Sequence, residues 1–175
     1  MPGAVSGSRT PAAVLMPLVT RPQGLTVLLT HRATHLSSHA GQIAFPGGKV
    51  DAGDADATDA ALREAEEEVG LPRQHARVLG VLATHVMGMR YAVTPVAALV
   101  QPGFALRPNP HEVTQIFEVP LAFLMNPAHH RFHKMADGRQ WFSMPYVDEA
   151  GREHFIWGAT AAMLRALYRF LSHGD

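Results

Sequence analysis

Four glutamates crowd the second half of one helical segment, and a double-glycine turn precedes it. The chain reads Gly47-Gly48-Lys49-Val50-Asp51 and then Arg63-Glu64-Ala65-Glu66-Glu67-Glu68-Val69-Gly70-Leu71. Glu64, Glu67 and Glu68 stand at i, i+3 and i+4, so their carboxylates share one helical face and repel one another. A divalent cation turns that repulsion into binding, because Mg²⁺ and Mn²⁺ prefer hard oxygen ligands. Ala61, Leu62, Ala65 and Val69 form an apolar stripe that must face a core. Gly70 suits a left-handed C-terminal cap, with Leu71 and Pro72 closing the turn. A solvated acidic face is the plainer alternative, but the Gly-Gly turn and the Arg63-Glu64 start weigh against it. A calcium loop is excluded. Counted from Asp54, its sixth and twelfth positions are Asp59 and Ala65 rather than Gly and Glu; counted from Asp51, the third is Gly53.

Around this helix the chain alternates strands and turns. Residues Met1 to Thr10 are Gly/Ser-rich and expected to be mobile, leaving 11–175 as one domain. Ala12–Val19 and Leu25–His31 predict strands across the turn Arg21-Pro22-Gln23-Gly24. Gln42–Phe45 predicts a short strand, and Ala57–Val69 the acidic helix. Arg77–Thr84 and Tyr91–Gln101 are apolar enough to predict buried strands. Val113–Glu118 predicts a strand, Pro120–Met125 a helical turn, and Arg131–Met135 with Gln140–Tyr146 a hairpin. His154–Trp157 ends the strands. Thr160 is placed to cap a final helix striped by Met163, Leu164, Leu167, Phe170 and Leu171. Strands mixed with two principal helices fit an α/β sheet covered on both faces.

Composition narrows the chemistry. With no cysteine, disulfides, thiolate catalysis and zinc-cysteine sites are out. Fifteen basic and fifteen acidic residues give zero net charge, so neither nucleic acid nor an anionic membrane is an expected partner. The apolar run Ala12–Val19 is too short to span a bilayer and lacks a signal-peptide layout, so a core strand and a cytoplasmic protein are expected. Charged residues are 17 %, below the usual quarter, which is compatible with a face covered in a homodimer.

The stretch from Gly48 to Leu71 resembles the Nudix box. Arg63-Glu64-Ala65-Glu66-Glu67-Glu68-Val69-Gly70-Leu71 matches every fixed position of its second half. The first half departs: Gly48 is followed by five residues and then Asp54 rather than Glu, and eight residues then precede Arg63. The runs Leu28-Leu29-Thr30-His31-Arg32-Ala33 and Ser38-His39-Ala40-Gly41-Gln42-Ile43-Ala44-Phe45-Pro46-Gly47-Gly48 are similar to the coenzyme A pyrophosphatase branch of that superfamily. So are His111–Leu121 and Ile156–Ala161.

The resemblance implies an α/β/α sandwich around a mixed sheet and a Mg²⁺- or Mn²⁺-dependent diphosphatase. It implies Glu64 and Glu68 as metal ligands, with Glu67 a further ligand or the base that deprotonates water. The Gly48 carbonyl completes the set, and Arg63 orients the glutamates. Glu66 falls toward solvent. Glu112 and Glu118 are candidates for a further acid, with a surface role equally open. Arg32, His31, His35 and His39 are candidates for substrate phosphate; histidine metal ligation is not expected. Trp157 and Phe45 are read as core. The implied reaction splits coenzyme A, or an acyl-CoA, into 3′,5′-ADP and 4′-phosphopantetheine or its acyl form. Rivals are hydrolysis of another nucleoside diphosphate, such as ADP-ribose or a dinucleotide, and a non-catalytic nucleotide sensor.

Overall fold

The computed structural model describes residues 8–36 and 39–174. The expectation of a mobile Met1–Thr10 lies largely outside them; Thr10 itself already belongs to the first strand. That strand, β1 (Thr10–Arg21), is followed by β2 (Gly24–Arg32), β3 (Ile43–Ala44), β4 (Gly47–Lys49) and helix α1 (Ala57–Val69). Then come β5 (Ala76–Val81), β6 (His85–Met87), β7 (Tyr91–Val100) and β8 (Val113–Pro120). The short helix α2 (Leu121–Leu124), β9 (Arg131–Lys134), β10 (Gln140–Val147), β11 (Glu153–Trp157) and α3 (Gly158–His173) complete the chain.

β1 lies at the centre because its apolar run can be buried on both faces. It pairs parallel with β7, from Thr10 opposite Tyr91 to Val19 opposite Val100, and antiparallel with β2 and β4. The main sheet runs β3-β2-β1-β7-β5, with β8 on β2, β4 on β1 and β6 on β7. It is mixed, as expected. On one face Ala13, Leu15, Val19 and Val96 pack against Ala61, Ala65 and Val69 of α1. On the other, Met16, Val27 and Leu29 pack against Leu164 and Leu167 of α3. The antiparallel sheet β11-β10-β9 joins that second layer through Met144 and Ile156. Each fully buried Leu or Val contributes about 1.5–3 kcal/mol.

α1 spans the residues its pattern predicts. Asp56 accepts the Asp59 N–H at 2.8 Å as an N-cap, and Gly70 ends the helix at φ 72. A side chain at Gly70 would also press on the Arg107 backbone, 3.1 Å from a built Cβ.

Four expectations fail. β5 is apolar but not buried: among the described residues it is paired on one side only, by β7, and Val78, Leu79 and Val81 are exposed. Thr160 does not cap α3; it sits inside the first turn and its hydroxyl donates to the Ile43 carbonyl at 2.9 Å. Phe170 and Leu171 are exposed, so the buried stripe of α3 ends at Leu167. Trp157 is 42 % exposed, while Phe45 is core as expected. No helix among the described residues is long and apolar enough to cross a membrane.

Candidate active site and metal centre

Pairing of β4 with β1 sets the Gly47-Gly48 turn beside Ala13 and Val14, directly under α1. Closeness to backbone requires glycine at 47; at 48 the crowded atoms are the movable end of the Glu64 side chain. A Cβ on Gly47 would run into the Ala13 carbonyl oxygen, and one on Gly48 would lie 2.6 Å from Glu64 Oε1. The bare backbone in turn serves the helix: Gly47 N–H donates to Glu68 Oε2 at 3.0 Å.

Three carboxylates converge there. Glu64, Glu68 and Glu112 each offer an oxygen, all within 4.8 Å of one another. Glu112 comes from the segment before β8, which is strapped to the end of α1. Arg107 N–H donates to Val69 O and Asn109 N–H to Glu68 O, both at 2.8 Å, while Glu112 N–H donates to Asn109 O at 3.0 Å. Glu112 Oε2 is buried and has no hydrogen-bond partner. An orphaned carboxylate oxygen in a three-acid cluster is what a hard cation would satisfy, so the residues present fit a divalent metal.

Burial drives the electrostatics. Glu68 is almost fully buried, and desolvation pushes its carboxyl up to about 8; Glu64 and Glu112 reinforce the rise, while the Gly47 N–H and Arg32 oppose it. Glu64 is also raised, first by desolvation and then by its acidic neighbours, against the pull of Arg63.

Arg63 organises the helix side of the cluster. Its Nε and Nη2 donate to the two Asp54 oxygens, each at 2.9 Å, a bidentate fork. Nη1 donates to Glu64 Oε1 at 3.1 Å, and Nη2 reaches the Lys49 carbonyl at 3.2 Å. The Arg63 hydrogen bonds hold the Asp54 carboxyl down at about 2. The position where the box departs from its pattern is thus an anchor for Arg63, a partnership the spacing alone did not reveal.

The other candidates separate. Glu67 is exposed and outside the trio, touching Arg63 at 3.5 Å. At about 100° per residue, Glu68 lies 40° from Glu64 but Glu67 lies 60° to its other side. Glu66 is exposed, as expected. Glu118 is not near the cluster: it binds Arg21 at 2.9 and 2.7 Å and Thr26, where β8 meets β2. Arg32 and His39 line the cavity that holds the acids; His31 and His35 do not. His31 and Arg32 are neighbours at the end of β2, where the register against β8 shifts, and they serve different surroundings. His31 packs toward β11, hydrogen-bonded to His154 at 2.9 Å, which in turn meets Asp148 at 2.9 Å. His35 donates to the His111 carbonyl at 2.9 Å. Trp157, Met87 and Tyr91 also line the cavity; Trp157 lies in a segment of the resemblance but reads as core in the sequence, and no motif signals Met87 or Tyr91.

The NUDIX domain profile matches residues 9–156. A protein of Photorhabdus laumondii, called uncharacterized Nudix hydrolase NudL, is 42 % identical over 95 % of this chain and 87 % of its own. The protein of the same name from Escherichia coli K12 is 45 % identical over 89 % of this chain and 80 % of its own. Among solved structures, a Nudix hydrolase from M. smegmatis, RenU, has a TM-score of 0.56 at 29 % identity, covering 65 % of this chain and 72 % of its own. A C. elegans Ap4A hydrolase binary complex shares the fold, with a TM-score of 0.59 at 18 % identity over 94 % and 98 %. Matches of this extent and identity, on a chain whose acidic helix folds onto a Gly-Gly turn, make it a member of the Nudix hydrolases, enzymes that cleave phosphoanhydride bonds in nucleoside diphosphate derivatives.

Proposed function

We propose that the chain hydrolyses the diphosphate linkage of coenzyme A or its thioesters, giving 3′,5′-ADP and 4′-phosphopantetheine or its acyl form. One observation carries the reading. From the two runs that resemble the coenzyme A branch, Arg32, His39, Gln42, Phe45 and Gly48 line the same cavity of about 440 Å³ as Glu64, Glu68 and Glu112. Cationic Arg32 and the His39 ring therefore face an anionic substrate across the acid cluster. Local groups must do this work, because the net charge is zero.

Glu64, Glu68 and Glu112, with the Gly48 backbone beside them, would hold Mg²⁺ or Mn²⁺. The ion supplies charge neutralisation at the diphosphate and a more acidic water. The protein side of the reaction is positional. Arg63, locked by Asp54, fixes the Glu64 carboxylate. Arg32 draws the phosphates into the cleft. A water attacks one phosphorus, the bridging P–O bond breaks, and the departing phosphate keeps the bonding pair. Glu67, exposed and held only at its edge by Arg63, is a carboxylate left over to accept the water's proton. A panel of coenzyme A, ADP-ribose, NADH and diadenosine polyphosphates, run with Mg²⁺, Mn²⁺ and chelator, tests the reading. Cleavage of coenzyme A above the others is expected; preference for ADP-ribose or a dinucleotide would replace it.

A further inference from the structure

The acid-lined cavity opens sideways. Past His39, Met87, Tyr91 and Trp157 it continues into a larger groove of about 1180 Å³. One wall is β6 and its turn, with Val86 and Met89; the other is the β9–β10 hairpin, with Met135 and Trp141. Gly158, Ala159 and Ala162, at the start of α3, also line it; being small, they leave the space open. Much of the lining is apolar yet solvent-facing: Met89 is 89 % exposed, Val86 53 % and Met135 43 %. No carboxylate lines it among the described residues. A clustered apolar surface beside a polar reaction centre marks a binding site, and methionine adapts to flexible apolar partners.

Resting on the coenzyme A reading, we propose that this groove holds the acylated pantetheine arm, making acyl thioesters of coenzyme A the preferred substrates over the free thiol. The groove suits a chain better than a base. Its two indoles cross at 73°, with centroids 5.8 Å apart, so they form no parallel slot for a flat ring. One face of Trp141 is already covered by His133 at 3.9 Å. A second protein seated here would cover Met87, Tyr91 and Trp157 and close the entrance to the acids. An arm running from the diphosphate past those residues needs no such closure.

A fully buried methylene gains roughly fourfold in binding, and an open groove recovers part of this. An octanoyl thioester should therefore exceed free coenzyme A at least about tenfold in kcat/KM. The gain should appear in KM, because the chain lies away from the reacting phosphorus and binds ground and transition states alike. The chain's only two tryptophans line the groove, so their fluorescence reports occupancy without turnover. Uncharged S-octanoylpantetheine should shift it saturably, at least about tenfold more tightly than pantetheine. Ala162→Phe, which fills the groove from a half-exposed position, and Trp141→Ala should each collapse the octanoyl-to-free KM ratio toward one. Ala162→Phe should also abolish the fluorescence response, with thermal melting confirming that both variants fold. Equal KM for coenzyme A and its octanoyl thioester would overturn the proposal. So would an octanoyl preference surviving both variants, a fluorescence response to 3′,5′-ADP in place of octanoylpantetheine, or a dimer that Ala162→Phe dissociates. Failure to cleave any coenzyme A species while ADP-ribose is hydrolysed would remove the function itself and the groove's role with it.

Discussion

Replacing Glu68 by glutamine should stabilise the metal-free protein at pH 8 while deleting its thermal response to Mg²⁺. The carboxyl moves from 4.5 to about 8 on folding, chiefly through burial. The folded protein then holds a proton that the unfolded chain has released, so stability is full below about pH 4.5 and falls as pH rises toward 8. At about 1.4 kcal/mol per pH unit, the loss reaches about 4 kcal/mol at pH 8 in the absence of an ion. Glutamine keeps the side-chain oxygen that accepts the Gly47 N–H and removes the charge. Even half that recovery, about 2 kcal/mol, raises Tm by about 5 °C for a chain of this size. Melting curves in chelator at pH 5 and pH 8 measure it: the two proteins should nearly coincide at pH 5 and separate at pH 8. Adding Mg²⁺ should raise Tm of the parent only. A variant less stable than its parent at pH 8, or a parent whose Tm does not fall against the variant's between pH 5 and 8, would refute the reasoning.

Gly48→Ala should lower kcat at least about a hundredfold, because its Cβ would meet Glu64 Oε1 at 2.6 Å, the scale of losing a preorganised group. Gly53→Ala, whose Cβ meets nothing within 4 Å, is the control and should change little. Asp54→Asn should cut kcat about tenfold or more in steady-state assays by freeing Arg63 from its fork; an unchanged kcat would mean Arg63 needs no anchor. Glu118→Gln should leave kcat untouched and cost at most about 1 kcal/mol in denaturant melts, since its pair with Arg21 is partly exposed.

The parts of the site that a local pattern encodes were legible in the sequence. The C-terminal bound of α1 follows from the apolar stripe and Gly70, and β1 and β7 from strongly apolar runs. The convergence of Glu64 with Glu68 is helical arithmetic. What a distant strand decides was not legible. Glu112 joins the cluster only because Asn109 is bonded to the end of α1. Glu118, equally acidic and on the same strand-bearing segment, is claimed by Arg21 instead. Hydrophobicity misplaced β5 and Trp157 for a related reason: it reports a preference for burial, and only the assembled fold shows whether anything covers the residue. The groove beside the acids is built from such residues.

The most direct test compares coenzyme A with 3′-dephospho-coenzyme A under Mg²⁺, with products resolved by mass and a chelator control. The 3′-phosphate is a dianion that needs a charge-assisted contact, a role we propose for Arg32, which lines the cleft. We expect kcat/KM for coenzyme A at least about tenfold higher, roughly 1.4 kcal/mol of transition-state binding. The products should be 3′,5′-ADP and 4′-phosphopantetheine, hydrolysis should cease in chelator, and the gap should narrow in Arg32→Ala. Equal rates on the two substrates, full activity in excess chelator, or faster cleavage of ADP-ribose would contradict the account.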